Sequence, residues 1–128
     1  MSDIAISGSV TVSKNSLAVS DSGSISGTLT GVGKFSNVQS IGFAAAELVV
    51  FPADLVVEGV GYIWLKNLDT AHFITISQKT GANTNPVTKL LPGEFIVIHN
   101  PLAPTNDPGL WAQADTGSCN LQVVASGT

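Results

Sequence analysis

From residue 36 onward, short apolar runs recur about every ten residues, and each is closed by turn-forming residues. No run is long enough, or has the three-to-four-residue period, to make a helix of ordinary length. Runs rich in Val, Ile, Thr and Phe, punctuated by Gly and Pro at this spacing, fold as the strands of an all-β sandwich or barrel. The spacing predicts strands over 4–13, 24–30, 36–41, 46–51, 55–58, 61–67, 71–78, 87–91, 94–99, 109–114 and 119–126. The segment FAAAEL at 43–48 is too short for a helix and reads as a loop or one turn leading into a strand.

The turns carry their own chemistry. Leu91-Pro92-Gly93-Glu94 suits a type II turn, because Pro fixes the first central φ and Gly supplies the positive second one. Asn106-Asp107-Pro108-Gly109 is a second turn-former. The polar break Asn67-Leu68-Asp69-Thr70 separates two runs that are expected to pair as an antiparallel hairpin. Lys89 and Glu94 flank the Pro-Gly turn and are expected to pair across a second hairpin.

Several runs are apolar on both faces. In GYIWLKN at 61–67, Ile63 and Leu65 alternate with Tyr62 and Trp64. LVVF at 48–51 and FIVI at 95–98 behave the same way. A strand with one solvated face alternates apolar with polar. The second face here is expected to lie under a loop, under the N-terminal segment or against another chain.

Residues 1–33 contain no aromatic side chain and are dominated by Ser, Gly and Thr. They hold a near-repeat, ISGSVTV at 6–12 and ISGTLTG at 25–31, with Ile4, Ile6, Val10, Val12, Ile25 and Leu29 as the apolar positions. The period of two marks half-buried strands. Each copy is too thin to form a core, so the pair is expected to make a hairpin, or an arm added to another subunit, with a disordered low-complexity tail as the alternative. The organisation expected is a Ser/Gly-rich β arm over 1–36 and a β-sandwich over 37–128.

Charged residues make up 11% of the chain, against about 25% in a typical soluble domain. A surface this poor in charge is weakly protected against association. The net charge is −4, there is no arginine, and the five lysines (14, 34, 66, 79 and 89) are scattered. Direct nucleic-acid binding needs a basic stripe, so it is not expected. MSDIAISGSV has no basic region followed by an apolar run, which is unlike a secretory leader. No stretch reaches the roughly 18 apolar residues of a membrane span.

The residues offer little chemistry. Cys119 is the single cysteine and reads as a small buried hydrophobe. His72 and His99 sit near strand ends with no spacing that suits a metal, so no metal or other cofactor is expected. Asp69, Asp107 and Asp115 read as turn or cap residues. Gly23-Ser24-Ile25-Ser26-Gly27 has Ile where a nucleophile elbow needs Ser. The glycines at 31 and 33 lack the downstream Gly and Lys of a phosphate loop. No catalytic residue is assigned, and the chain is not expected to be an enzyme.

From Val38 to its end the chain resembles small virion structural proteins of tailed phages. The resemblance rests on VQSIG at 38–42, GYIWLKNLDTAHFITI at 61–76, KLLPGEFIVI at 89–98, LWAQAD at 110–115 and NLQVVAS at 120–126, in that order. It implies an antiparallel, jelly-roll-like β-sandwich in a virion assembled in a host cytoplasm. Within that class, the low charge, the absent chemistry and the doubly apolar strands at 48–51, 61–65 and 95–98 favour a capsid decoration or cement protein, bound to the major capsid protein and to its own copies, with a homotrimer expected. Tail, neck or fibre-associated proteins of the same kind are the alternative. A carbohydrate-binding β-sandwich is a reading of another class, with Tyr62, Trp64 and Trp111 as exposed platforms. The candidate contact residues are Ile6, Val10, Val12, Ile25, Leu29, Tyr62, Trp64 and Trp111.

Overall fold

The computed structural model describes residues 4–14, 17–27, 34–51, 60–80, 82–99 and 109–127. Among them are ten strands, all paired antiparallel, and no helix. The chain divides into two compact units, Met1–Thr30 and Gly31–Thr128.

The first unit is a two-stranded ribbon. Strand β1 (Ile4–Lys14) pairs with β2 (Leu17–Gly27) along all eleven positions, with Ile6 opposite Ile25, Gly8 opposite Gly23 and Val12 opposite Val19. The second strand begins at Leu17 rather than at 24, because LAVSDS continues the alternation that the glycines had obscured. Leu29 lies outside the described residues.

The second unit has two four-stranded sheets. One has the order β3 (Lys34–Ile41), β10 (Cys119–Gly127), β5 (Val60–Asn67), β8 (Phe95–His99). The other has the order β4 (Glu47–Leu48), β9 (Leu110–Ala114), β6 (Ile74–Thr80), β7 (Asn83–Leu90). One hydrophobic cluster draws on both, with Ile41, Ile63, Leu65, Leu121 and Val123 from the first sheet and Ile74, Ile76, Leu90, Ala112 and Ala114 from the second. The alternation of β5, β9 and β10 follows from this, since every second residue enters the shared core. The buried Cys119 belongs to it, and desolvation pushes its thiol pKa up.

Neither expected hairpin forms. Strands β5 and β6 lie in different sheets, so Asn67–Thr70 begins a corner between sheets. Strands β7 and β8 also lie in different sheets, so the Pro-Gly turn is a second corner. That turn has the expected geometry, with Gly93 at φ 80° and Glu94 N donating to Leu91 O at 3.0 Å. Lys89 and Glu94 do not meet across it. The Glu94 carboxylate accepts from Leu91 N at 2.8 Å, and Lys89 Nζ stands 3.7 Å from the centre of the Phe73 ring. In its own sheet β6 pairs with β9 on one side and β7 on the other; β7 starts at Asn83, before the expected 87, and carries Pro86 at an edge position.

Asn67 locks the two corners together. It is fully buried, and its Nδ2 donates to His72 O at 2.8 Å and Leu90 O at 3.0 Å. Its Oδ1 accepts from Asp69 N at 2.9 Å. Its backbone N donates to Glu94 O at 2.9 Å, and its backbone O accepts from Gly93 N at 3.0 Å. One amide therefore satisfies backbone groups of both crossings, where no sheet ladder can reach them.

The 43–51 segment is not helical, and only Glu47–Leu48 is a strand. Beyond it the Gln39 side-chain amide stands in for a ladder: its Nε2 donates to Val50 O at 2.8 Å, and its Oε1 accepts from Val50 N at 3.0 Å. The expected strand at 55–58 falls outside the described residues.

Candidate interaction surfaces

On the ribbon, residues directly opposite each other share a face. One face carries Ser7, Ser9 and Thr11 beside Ser24, Ser22 and Ser20. The other carries Ile6, Gly8, Val10 and Val12 beside Gly23, Asp21 and Val19. Val10 is 63% exposed, Val12 52% and Val19 53%, so the apolar face is open to solvent. The expected residues Ile6, Val10 and Val12 are thereby brought together, with Ile25 at the register position opposite Ile6. Val19 belongs with them, and its signal was the Leu17–Ser20 alternation. The pair Gly8 and Gly23 leaves a break in the apolar face; a Cβ built at either position meets nothing within 4 Å.

On the second unit, the outer face of the β3-β10-β5-β8 sheet carries an apolar surface. Tyr62 and Trp64 point outward from β5 and are half-buried, while Ile63 and Leu65 point into the core. The register puts Trp64 between Val124 and Val97. Its ring stacks on Phe95, with centroids 4.3 Å apart and planes at 14°. Trp64 Nε1 donates to Gln122 Oε1 at 3.4 Å. Phe95 (53% exposed), Val38 (54%) and Val124 complete an apolar strip across the sheet. Lys66 is the only charged side chain described on it. The doubly apolar pattern of β5 and β8 is thus met in part by aromatic stacking on the outer face. Phe95 is a member of this strip that residue type alone did not single out; its signal was the unbroken FIVI run.

Trp111 does not join this group. It lies on the outer face of the other sheet, half-buried, opposite Leu48 and Ser77. The three aromatics proposed as sugar platforms therefore fall on two different sheets.

The β5–β6 corner holds the main polar cluster. His72 is in the connection rather than at a strand edge, and its Nδ1 lies 3.1 Å from Asp115 Oδ1 and 3.2 Å from Thr116 Oγ1. The Asp69 carboxylate accepts from Ala71 N at 3.0 Å and His72 N at 2.6 Å, and these backbone donors hold its pKa below the usual value. Asp115 is lowered chiefly by the Thr116 N–H, with the His72 charge adding to it. Asp69 is a turn-stabilising acceptor, as its residue type suggests. Among the described residues no group of three or more His, Cys, Asp or Glu is placed to hold a metal ion.

No family model, curated protein or solved structure matches the chain.

Proposed function

We propose that this chain is a virion structural protein of a tailed phage, and that it decorates the capsid by burying uncharged surface against capsomers and its own copies. The observation that carries this reading is the pair of open apolar surfaces: the ribbon face at Val10, Val12 and Val19, and the sheet face at Trp64, Phe95, Val38 and Val124. A lone exposed apolar residue is ordinary, but contiguous strips mark contact sites.

The strand order supports the same reading. Counted from β3, the two sheets run 1-8-3-6 and 2-7-4-5, with the core between them. We read this as a jelly roll, an architecture used by viral capsid domains and also by lectins. Fold alone does not choose between those uses, so the choice rests on the surfaces. Trp64 and Phe95 each spend one ring face on the other, which favours a protein contact over a sugar platform. Copies set around a local threefold would bury the strip around Trp64.

The test is co-sedimentation of the purified full-length chain with heads that lack it. Binding is expected for the native chain and strongly weakened for Trp64→Ser combined with Phe95→Ser. Equal binding by native and doubly substituted chains removes the sheet face from the contact, and no binding by the native chain removes the role in decoration.

A further inference from the structure

We infer that the ribbon of one copy pairs face to face with the ribbon of a second copy, about a twofold axis that crosses the ribbon between the Gly8–Gly23 and Val10–Asp21 levels. This deepens the assembly role proposed above and rests on it for its setting, by linking neighbouring copies on the shell.

The register fixes the geometry. The apolar face has six paired levels, from Ile4–Gly27 to Lys14–Leu17, and its midpoint lies between Gly8–Gly23 and Val10–Asp21. A twofold axis through that midpoint, across the strands, lays β1 over β1 with the levels reversed. Val10 of one copy then enters the gap left by Gly8 of the other, Asp21 faces Gly23, and Val12 faces Ile6. The gap is real, since a Cβ at Gly8 or Gly23 would meet nothing. Glycine inside a strand weakens it and marks places where another chain approaches closely.

The other symmetric arrangements fit less well. A twofold along the ribbon axis stacks gap on gap and sets Asp21 against Val10. Parallel copies around a threefold bring the Asp21 carboxylates of all copies to one level. In the favoured arrangement each Asp21 meets empty space at a ribbon edge, where water still reaches it, and the Ser/Thr face stays in solvent.

The size of the surface sets the strength. Eleven residues at about 3.4 Å and two strands about 4.8 Å apart give a face of roughly 360 Å². Two such faces bury roughly 720 Å², below the roughly 1,200–2,000 Å² of a stable complex. The ribbon pair is therefore weak in dilute solution. It is strengthened where both copies are already held at one shell, because the second contact becomes intramolecular.

The test uses thiol pairs in the full-length Cys119→Ser chain. Gly8→Cys and Val10→Cys variants are prepared separately, mixed at high concentration, and treated with a cross-linker spanning about 8–10 Å, the separation of packed sheets. The mixture is expected to cross-link several-fold more than either variant alone. Equal yields, or none at any concentration, overturn the twofold pairing. Both positions are exposed, and far-UV circular dichroism confirms that each variant is folded. A second variant, Gly8→Leu, fills the gap and should lower self-association about tenfold or more, the effect of a 1.4 kcal/mol clash. Unchanged association also overturns it. If the ribbon pair fails while native chain still binds heads, the pairing falls and the role in decoration stands; ribbon pairing without head binding reverses that outcome.

Discussion

Replacing Asn67 by Ala should be among the most damaging single changes in the second unit. The side chain is fully buried and makes three hydrogen bonds, two of them donated to the carbonyls of His72 and Leu90. Removing the amide leaves both carbonyls and the Asp69 N–H without that partner. A buried polar group left unsatisfied costs about 1–3 kcal/mol. One buried acceptor and two partly buried groups thus give a loss of about 3–5 kcal/mol, a large share of the roughly 5–15 kcal/mol of a typical domain. Asn67→Asp separates hydrogen bonding from volume. It keeps the shape and the acceptor for Asp69 N, but turns an oxygen toward both carbonyls, so it should be no milder than Ala at neutral pH. The assay is equilibrium urea unfolding followed by tryptophan fluorescence, since Trp64 and Trp111 both lie in this unit. A loss below about 1 kcal/mol for Asn67→Ala would refute the idea that this amide joins the two corners.

Three further outcomes follow from local geometry. Backbone N–H donors hold the Asp69 and Asp115 carboxyls below the ordinary carboxylate range, so their contribution to stability is full above about pH 4 and is lost as pH falls through the folded values. Replacing both by Asn should flatten the acid limb of a stability–pH curve between about pH 5 and 2, and an unchanged limb counts against the assignment. Gly93→Ala forces a Cβ into a φ of 80° and should cost about 1–2 kcal/mol in urea unfolding, whereas a neutral result would mean a different turn. A double-mutant cycle on Trp64 and Phe95 should give a coupling of about 0.5–1.5 kcal/mol, and none if the rings do not stack.

The strands were legible because each is a local pattern. Ile63, Leu65 and Ile76, or Leu121 and Val123, alternate visibly within a few residues. Which strands pair was not. A polar break such as Asn67–Thr70 is needed equally by a hairpin and by a corner between sheets, and the distinction lies in contacts distant in sequence: Asn67 with Leu90, Leu68 with Asn120. Asn67 itself read as a turn residue, since nothing local says that an Asn is buried. The ribbon was legible as two strands, but its register was not, because the glycines at 8 and 23 interrupt the apolar count until they are seen to face each other. The outer-face strip was half legible: Tyr62 and Trp64 stand out by type, whereas Val38 and Val124 become part of it only when β3 and β10 are placed beside β5.

The most direct test of the proposed role in head decoration is to purify phage particles from cells that carry this sequence and count copies of the chain per particle against the major capsid protein, by gel densitometry with mass-spectrometric identification. Decoration of the head predicts copies in regular proportion to the capsomers, released together with the head shell. A chain absent from the particle would contradict the account, and a few copies confined to the neck or tail would contradict its placement on the head.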